Sequence, residues 1–408
     1  MSMFKRDLAR SQMGAWIIRG TLPLTLLFLL IEFFDELHYG VEGAVLPALR
    51  TSLSLSYNQM GLLLGLPGVI GTAVEFFIML LGDTRLRKWL VVGGGWAIVL
   101  ATLLLASAQS FPTALIAMLI AFPASGAFVT LSQATLMDLN PGREPQMMAR
   151  WTLFGSLGNL IGPLIAAGIF AAGLSWRLNY VYLSALALFL TLMLLPRRFP
   201  THHRTPDESP ATSIGDIYAL LPVLWQSIKN IKLMRWFILL NLSDLLLDVY
   251  LSYSALYFAD VAGFTPAQVS LMMGALMAAG LAANIVLIPL LERVNGRRLV
   301  RVTAVAAGAA YTAWLLAPWA WAKIILAIVV RLLTLGWYEV LQGEAYASLP
   351  GRSGTVMAIN SLVGILGGVL IWFVGWFAEQ AGLPAAMWLL LAGPLALILF
   401  VPKPESST

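Results

Sequence analysis

The chain has no cysteine among its 408 residues, only 3 histidines, and a charged fraction of 11%, where a soluble protein carries about a quarter. The first absence excludes disulfides, thiolate metal sites and thiol nucleophiles. The scarcity of charge excludes a soluble globular enzyme. There is no phosphate-binding P-loop, zinc-ligand set or nucleophile elbow either, so neither enzymatic activity nor a cofactor is expected. Basic residues outnumber acidic ones by 25 to 20, but they cluster in short stretches between apolar runs. That pattern reports orientation in a membrane rather than a nucleic-acid partner.

What the chain has in quantity is apolar sequence, 59% of residues with a mean hydropathy of +0.83. It falls into runs near the twenty residues that a helix needs to cross a hydrocarbon core of about 30 Å. A window of about nineteen residues predicts helices over 21–47, 57–82, 89–109, 111–137, 147–173, 176–195, 233–260, 266–291, 298–318, 320–347, 353–382 and 384–402. The expected fold is therefore an all-α membrane protein with twelve transmembrane helices. The first run carries four carboxylates and lacks a small-residue cleavage site, so it reads as a retained helix. An even helix number puts both termini on one side. With the termini cytoplasmic, 21 Lys and Arg lie inside, 3 (Arg50, Arg177 and Lys323) lie outside, and Arg331 falls within a helix, as the positive-inside rule requires.

One long connection, 196–232, divides the chain into units 1–195 and 233–408. Within it Ile214, Ile217, Tyr218, Leu221, Leu224, Trp225 and Ile228 recur at steps of three and four, which predicts an amphipathic helix on the cytoplasmic membrane surface. The two units are copies of each other. An offset of 209 residues superposes Gln133, Pro141, Gly142, Arg143, Met148, Ala149, Leu153, Gly155, Leu157 and Gly158 on identical residues from Gln342 to Gly367. The same offset pairs Glu32 with Asn241, Asp35 with Asp244, Gln59 with Gln268 and Glu75 with Asn284. A duplicated six-helix unit enters the membrane twice in one sense, giving two pseudo-symmetric bundles about an axis along the membrane normal.

The loop after helix 2 reads Gly82-Asp83-Thr84-Arg85-Leu86-Arg87-Lys88, and its repeat reads Glu292-Arg293-Val294-Asn295-Gly296-Arg297-Arg298. Each sets an acid at a helix end before a basic cluster, able to pair with the acid and with the negative end of a neighbouring helix and so to gate the cytoplasmic side between bundles. The loop resembles the signature G-x-x-x-D-R-x-G-R-R/K of the major facilitator superfamily. Met79, Thr84 and Leu86 depart from it, and the second copy has one residue inserted before Gly296. Gly155, Gly158, Gly162 and Pro163, followed by Ala166 and Ala167, resemble the glycine-rich motif of proton-coupled antiporters in that superfamily, and are equally a helix-packing stripe. Phe34-Asp35-Glu36 through Pro47 to Ser56-Tyr57-Asn58-Gln59-Met60-Gly61 is similar to fosmidomycin-resistance-like exporters. The resemblance implies a bacterial inner-membrane transporter, monomeric, with the lipid bilayer, protons and a small-molecule substrate as its partners.

Ionisable residues inside a membrane cost about 2.5–3.5 kcal/mol each on insertion scales and are functional candidates for that reason. Helix 1 holds Glu32, Asp35, Glu36, His38 and Glu42, with the carboxylates and Tyr39 in an arc of about 120° that should face the central cavity. Asp35 is expected roughly 21 Å deep. Several carboxylates in one low-dielectric site cannot all be ionised at once, so Asp35 is expected to carry a coupled proton with Glu32 and Glu36 tuning it. Asn241, Asp244 and Asp248 on helix 7 should oppose them. Glu75, Arg331, Trp337, Tyr338, Glu339 and Tyr250 complete the expected cavity. Arg331 is expected to form a structural or gating ion pair with Asp244, Asp248 or Glu339, or else to bind an anionic substrate. Glu344 reads as a gate or loop contact, and Trp176, Trp319 and Trp321 as an interfacial belt.

The expected function is secondary active transport by alternating access, with export of cationic or zwitterionic amphipathic compounds against protons. The alternatives are movement of an anionic solute or lysolipid, in either direction, and a non-transporting receptor or channel.

Overall fold

The computed structural model describes residues 23–82, 86–140, 143–199, 229–291, 293–334, 336–348 and 353–402. The amphipathic stretch expected in the long connection lies outside them. Among the described residues, twelve helices run in the order α1 (Leu24–Leu53), α2 (Tyr57–Gly82), α3 (Arg87–Ala106), α4 (Phe111–Asp138), α5 (Glu144–Ala171) and α6 (Arg177–Leu194) in the first half. The second half continues with α7 (Ile231–Asp260), α8 (Pro266–Leu291), α9 (Gly296–Leu316), α10 (Ala320–Leu333 and Trp337–Ala347), α11 (Ser353–Ala381) and α12 (Leu383–Phe400). Eleven are long and apolar enough to cross a membrane. The other, α1, has 30 residues, ample length at 1.5 Å per residue, and is set apart by its four carboxylates.

The duplication appears in three dimensions as identical helix caps. Before α2, Ser56 N–H donates to Gln59 Oε1 (3.0 Å) and Gln59 N–H to Ser56 Oγ (3.2 Å). Before α8, Thr265 N–H donates to Gln268 Oε1 (2.9 Å) and Gln268 N–H to Thr265 Oγ1 (3.3 Å). Both are capping boxes, reciprocal bonds that satisfy two orphan donors at a helix start, and both sit at the repeat offset. Each half also carries a π-helical turn inside a long helix, Gly126–Thr130 in α4 and Leu245–Val249 in α7. Such turns frequently occur at functional sites.

Three differences from the expected helices have local causes. Helix α1 runs through Pro47 to Leu53, where Ser54 turns left-handed (φ 52°) and caps Arg50 and Thr51 carbonyls. The expected single helix over 320–347 is two, because Gly336 takes a φ of +79° that no helical residue adopts and the chain restarts at Trp337. Trp176 is buried at 4% exposure with its ring edge-on to Tyr180, not in an interfacial belt, whereas Trp319 and Trp321 are stacked and more than half exposed.

Small residues set the helix spacing. On α5, a Cβ added to Gly158 would meet the Phe33 carbonyl oxygen at 2.2 Å, and one on Gly162 the Leu37 carbonyl oxygen at 2.6 Å. The glycine stripe therefore lets α5 lie backbone to backbone on α1. Across the halves, α2 and α11 meet at Gly65 and Gly368, where an added Cβ on Gly65 would stand 2.3 Å from the Gly368 oxygen.

Candidate functional site

The four carboxylates of α1 do not share one destination. Asp35 accepts from Ser125 Oγ at 2.7 Å, the residue that precedes the π turn of α4, and lines a chamber between the bundles. Glu42 lines the same chamber with His38, Tyr39 and Asp248. Glu32 instead accepts from Trp151 and lies against Gly155, and Glu36 accepts from Asn159 Nδ2 at 2.9 Å. Both of these point into the α1–α5 seam, so the face expected to open wholly on the cavity divides between cavity and seam. The described partners of all three clustered acids are neutral donors.

The chamber has a volume of about 380 Å³ and walls that are largely apolar, with Leu63, Met118, Phe122 and Ile371 among them. A second chamber, about 270 Å³, opens within the C-terminal half and is lined by Asp244, Asp248, Arg331, Thr334, Gly336, Tyr338 and Glu339. Asp248 lies in the π turn of α7 and is common to both chambers. Its carboxylate accepts from Tyr39 of the opposite half at 3.4 Å, and the two residues are themselves one repeat offset apart.

Arg331 makes none of the ion pairs expected of it among the described residues. Its Nε is buried without a partner, and the guanidinium rests on Gly280, where an added Cβ would approach Nε to 3.1 Å. Asp244, Asp248, Tyr338 and Glu339 are in the chamber as expected. Four other expected cavity residues line neither chamber. Trp337 is fully buried and donates from Nε1 to Thr303 at 2.9 Å, packing α10 on α9. Asn241 turns its amide to the Phe237 carbonyl of its own helix (2.9 Å) and packs near Gly367. Glu75 bonds Thr130 and abuts Gly126, both in the π turn of α4. Tyr250 likewise packs edge-on against Tyr311 and Trp314 in the core of the second half. Each is a polar or aromatic residue whose helix position suggested a cavity and whose partner lies in its own bundle.

At the end where α6 finishes and α7 begins, here the linker end, the described contacts of the basic clusters lie within single bundles. Arg87 pairs with Asp138 and donates to the Gly82 carbonyl at the end of α2 (2.6 Å), while Lys88 donates to the Leu195 carbonyl (2.8 Å). Arg297 makes a two-pronged pair with Glu344, both contacts 2.6 Å. Arg293 and Arg298 are exposed; Asp83 and Glu292 lie outside the described residues. The opposite, far end is where the bundles meet. Arg50 pairs with Asp260 (2.7 Å), which also accepts from Tyr57 Oη (3.0 Å). Tyr57 N–H donates to Glu379 (2.8 Å), and Trp372 Nε1 to Asn58 (3.0 Å). Sequence reasoning missed this closure. Arg50 and Asp260 sit at the ends of duplicate helices, which was the available signal.

Twelve membrane helices among the described residues, in two pseudo-symmetric bundles with buried charge between them, are the architecture of a secondary transporter. A model of the Major Facilitator Superfamily matches residues 28–371, and the chain belongs to that family. The fosmidomycin resistance protein of Escherichia coli (strain K12) is 24% identical over 335 residues, 81% of this chain and 80% of that protein. Among solved structures, the nucleoside transporter NupG aligns with a TM-score of 0.72 at 14% identity over 92% of this chain and 98% of its own. A bacterial homologue of the human lysosomal transporter Spinster, inward-facing and occupied, aligns at 0.69 and 15% identity over 92% and 93%. These structural likenesses carry the fold alone.

Proposed function

We propose that this transporter exports small amphipathic compounds of cationic or zwitterionic character in exchange for protons, with Asp35 as the exchanging group and Glu32 and Glu36 behind it. The observation that carries this reading is the chamber between the bundles. Its walls are largely apolar, and it contains Asp35, Glu42 and Asp248 with no lysine or arginine among its lining residues. A carboxylate left unpaired in a low-dielectric site costs several kcal/mol. A bound cation removes that cost, and so does a proton, but one carboxylate needs only one of them. Mutual exclusion of proton and substrate is the elementary requirement for exchange.

The basic clusters at the linker end favour that end as cytoplasmic, with 1–195 and 233–408 as the moving units and 196–232 joining them. The far-end closure then corresponds to a chain closed to the outside. In such a cycle the two bundles rock about the chambers.

A second reading draws on Arg331, the one basic residue lining the chamber that Asp248 shares. An anionic or zwitterionic solute would supply the partner that its Nε lacks. Fosmidomycin resistance in the Escherichia coli relative supports export as the direction.

The test is thermal stability of the purified protein against lipophilic cations, organic anions, sugars and lysolipids at two pH values. Wild type is compared with Asp35→Asn and Arg331→Gln. A ligand that binds only the folded state adds about 2.7 kcal/mol at a hundredfold excess over Kd. Cations should stabilise wild type more at high pH than at low, and Asp35→Asn should abolish that dependence. Stabilisation by anions alone, lost in Arg331→Gln and kept in Asp35→Asn, would transfer recognition to Arg331 and leave the α1 acids without the proposed role.

A further inference from the structure

The outer surface of the C-terminal half carries a groove of about 590 Å³ between α9 and α12. Arg298, Arg301, Val302, Val305 and Ala309 line it from α9 and Ile398 from α12. On α9 these residues recur at steps of three and four, one face of a helix. From Arg298 to Ala309 that face runs about 16 Å at 1.5 Å per residue, close to one leaflet of a core about 30 Å thick. Val302 and Val305 are 61% and 56% exposed, so the wall is apolar surface open to the bilayer.

Both arginines stand at the linker end of the groove, where headgroups begin. Arg297, one residue away, is taken up by Glu344. Arg298 and Arg301 make no ion pair among the described residues, and α12 has no charged residue to offer them. Sequence reasoning had placed Arg298 in a cytoplasmic gate; its face of α9 points away from the partner bundle. The seam closes at depth, where Gly308 of α9 faces Pro394 of α12.

We propose that this groove binds an anionic phospholipid from the linker-end leaflet, with the headgroup phosphate held by Arg298 and Arg301 and one acyl chain along the α9–α12 seam. Two basic groups meet a negative headgroup, and their alkyl stems cover the top of an apolar trough, as long basic side chains do at membrane interfaces. The site is independent of the transport chambers and of the reading given to them.

The experiment is native mass spectrometry of the full chain in detergent, with dioleoyl phosphatidylglycerol or dioleoyl phosphatidylcholine titrated in. Wild type should retain the anionic phosphatidylglycerol preferentially. One basic group near a membrane surface is worth a factor of about five, so Arg298→Gln/Arg301→Gln should lose about twenty-five-fold of that preference, and the double Lys variant should keep most of it. Ala306→Trp, which fills the trough with both arginines intact, should also weaken retention. Glycerol phosphate, the headgroup without chains, should fail to displace the lipid. The proposal is overturned if the double Gln variant keeps the wild-type preference, or if Arg293→Gln, exposed at the same end but outside the groove, loses as much. It is equally overturned if Ala306→Trp has no effect or if glycerol phosphate competes, since either result leaves a surface charge without a lipid site.

Discussion

The two ends of the molecule use the same chemistry for opposite purposes. At the linker end, Arg87–Asp138 and Arg297–Glu344 each tie the third helix of a bundle to its fourth. At the far end, Arg50–Asp260 ties one bundle to the other. An ion pair inside a bundle travels with it as a rigid body. One between bundles must break whenever they part. Stability and conformational state are therefore expected to separate by position, and substitutions at both ends test that separation.

The largest effect is expected at Gly65. Its α-carbon faces the Gly368 backbone across the halves, and an inserted side chain cannot be accommodated without moving α2 from α11. Overpacking of this kind costs about 1–3 kcal/mol, and 1.4 kcal/mol is a factor of about ten in population. Because the wild type has no cysteine, a single Ser252→Cys in the chamber gives a clean probe. Gly65→Leu should raise its labelling by an impermeant maleimide from the far side about tenfold. Unchanged labelling would mean that the far-end seam does not close the chamber.

Next come the ion pairs themselves. A double-mutant cycle on Arg297 and Glu344, both only partly exposed, should return a coupling of about 1–3 kcal/mol in thermal stability and leave Ser252→Cys labelling unmoved. Asp260→Asn should do the reverse, raising far-side labelling severalfold with a small change in melting temperature. If the two pairs exchange these signatures, the contrast between the ends is wrong.

The smallest effect concerns the caps. Ser56→Ala and Thr265→Ala each remove one side of a capping box and should each cost about 1 kcal/mol, read as matched shifts in melting temperature. A marked inequality would show that the duplicated starts of α2 and α8 have taken on different loads.

The fold was legible because a membrane imposes a length. Helix α8 begins and ends where the hydropathy window places it, and the cap at Gln268 follows from its match with Gln59. The break in α10 was not legible, since a single glycine within an apolar run is compatible with an unbroken helix until a positive φ is seen at Gly336. The same holds for the π turns, which leave no compositional trace. Among the candidate site residues, a helical wheel puts Glu32, Asp35 and Glu36 in one arc but cannot say which neighbour lies against each. Asp35 meets α4 and the chamber, whereas Glu36 meets Asn159 of α5. Trp337 and Asn241 were misjudged for the same reason: period gives direction, and only packing gives the partner.

The far-end pair is about one-fifth exposed on each side chain, within reach of the solution that bathes that end. Mobile ions screen such charges, with a Debye length of about 8 Å at physiological strength and about 3 Å at 1 M. The pairs described at the other end, Arg87–Asp138 and Arg297–Glu344, each lie within one bundle. The protein thus has a built-in sidedness toward salt: raising ionic strength at the far end alone loosens the latch that keeps it shut, while the same change at the linker end leaves that latch untouched.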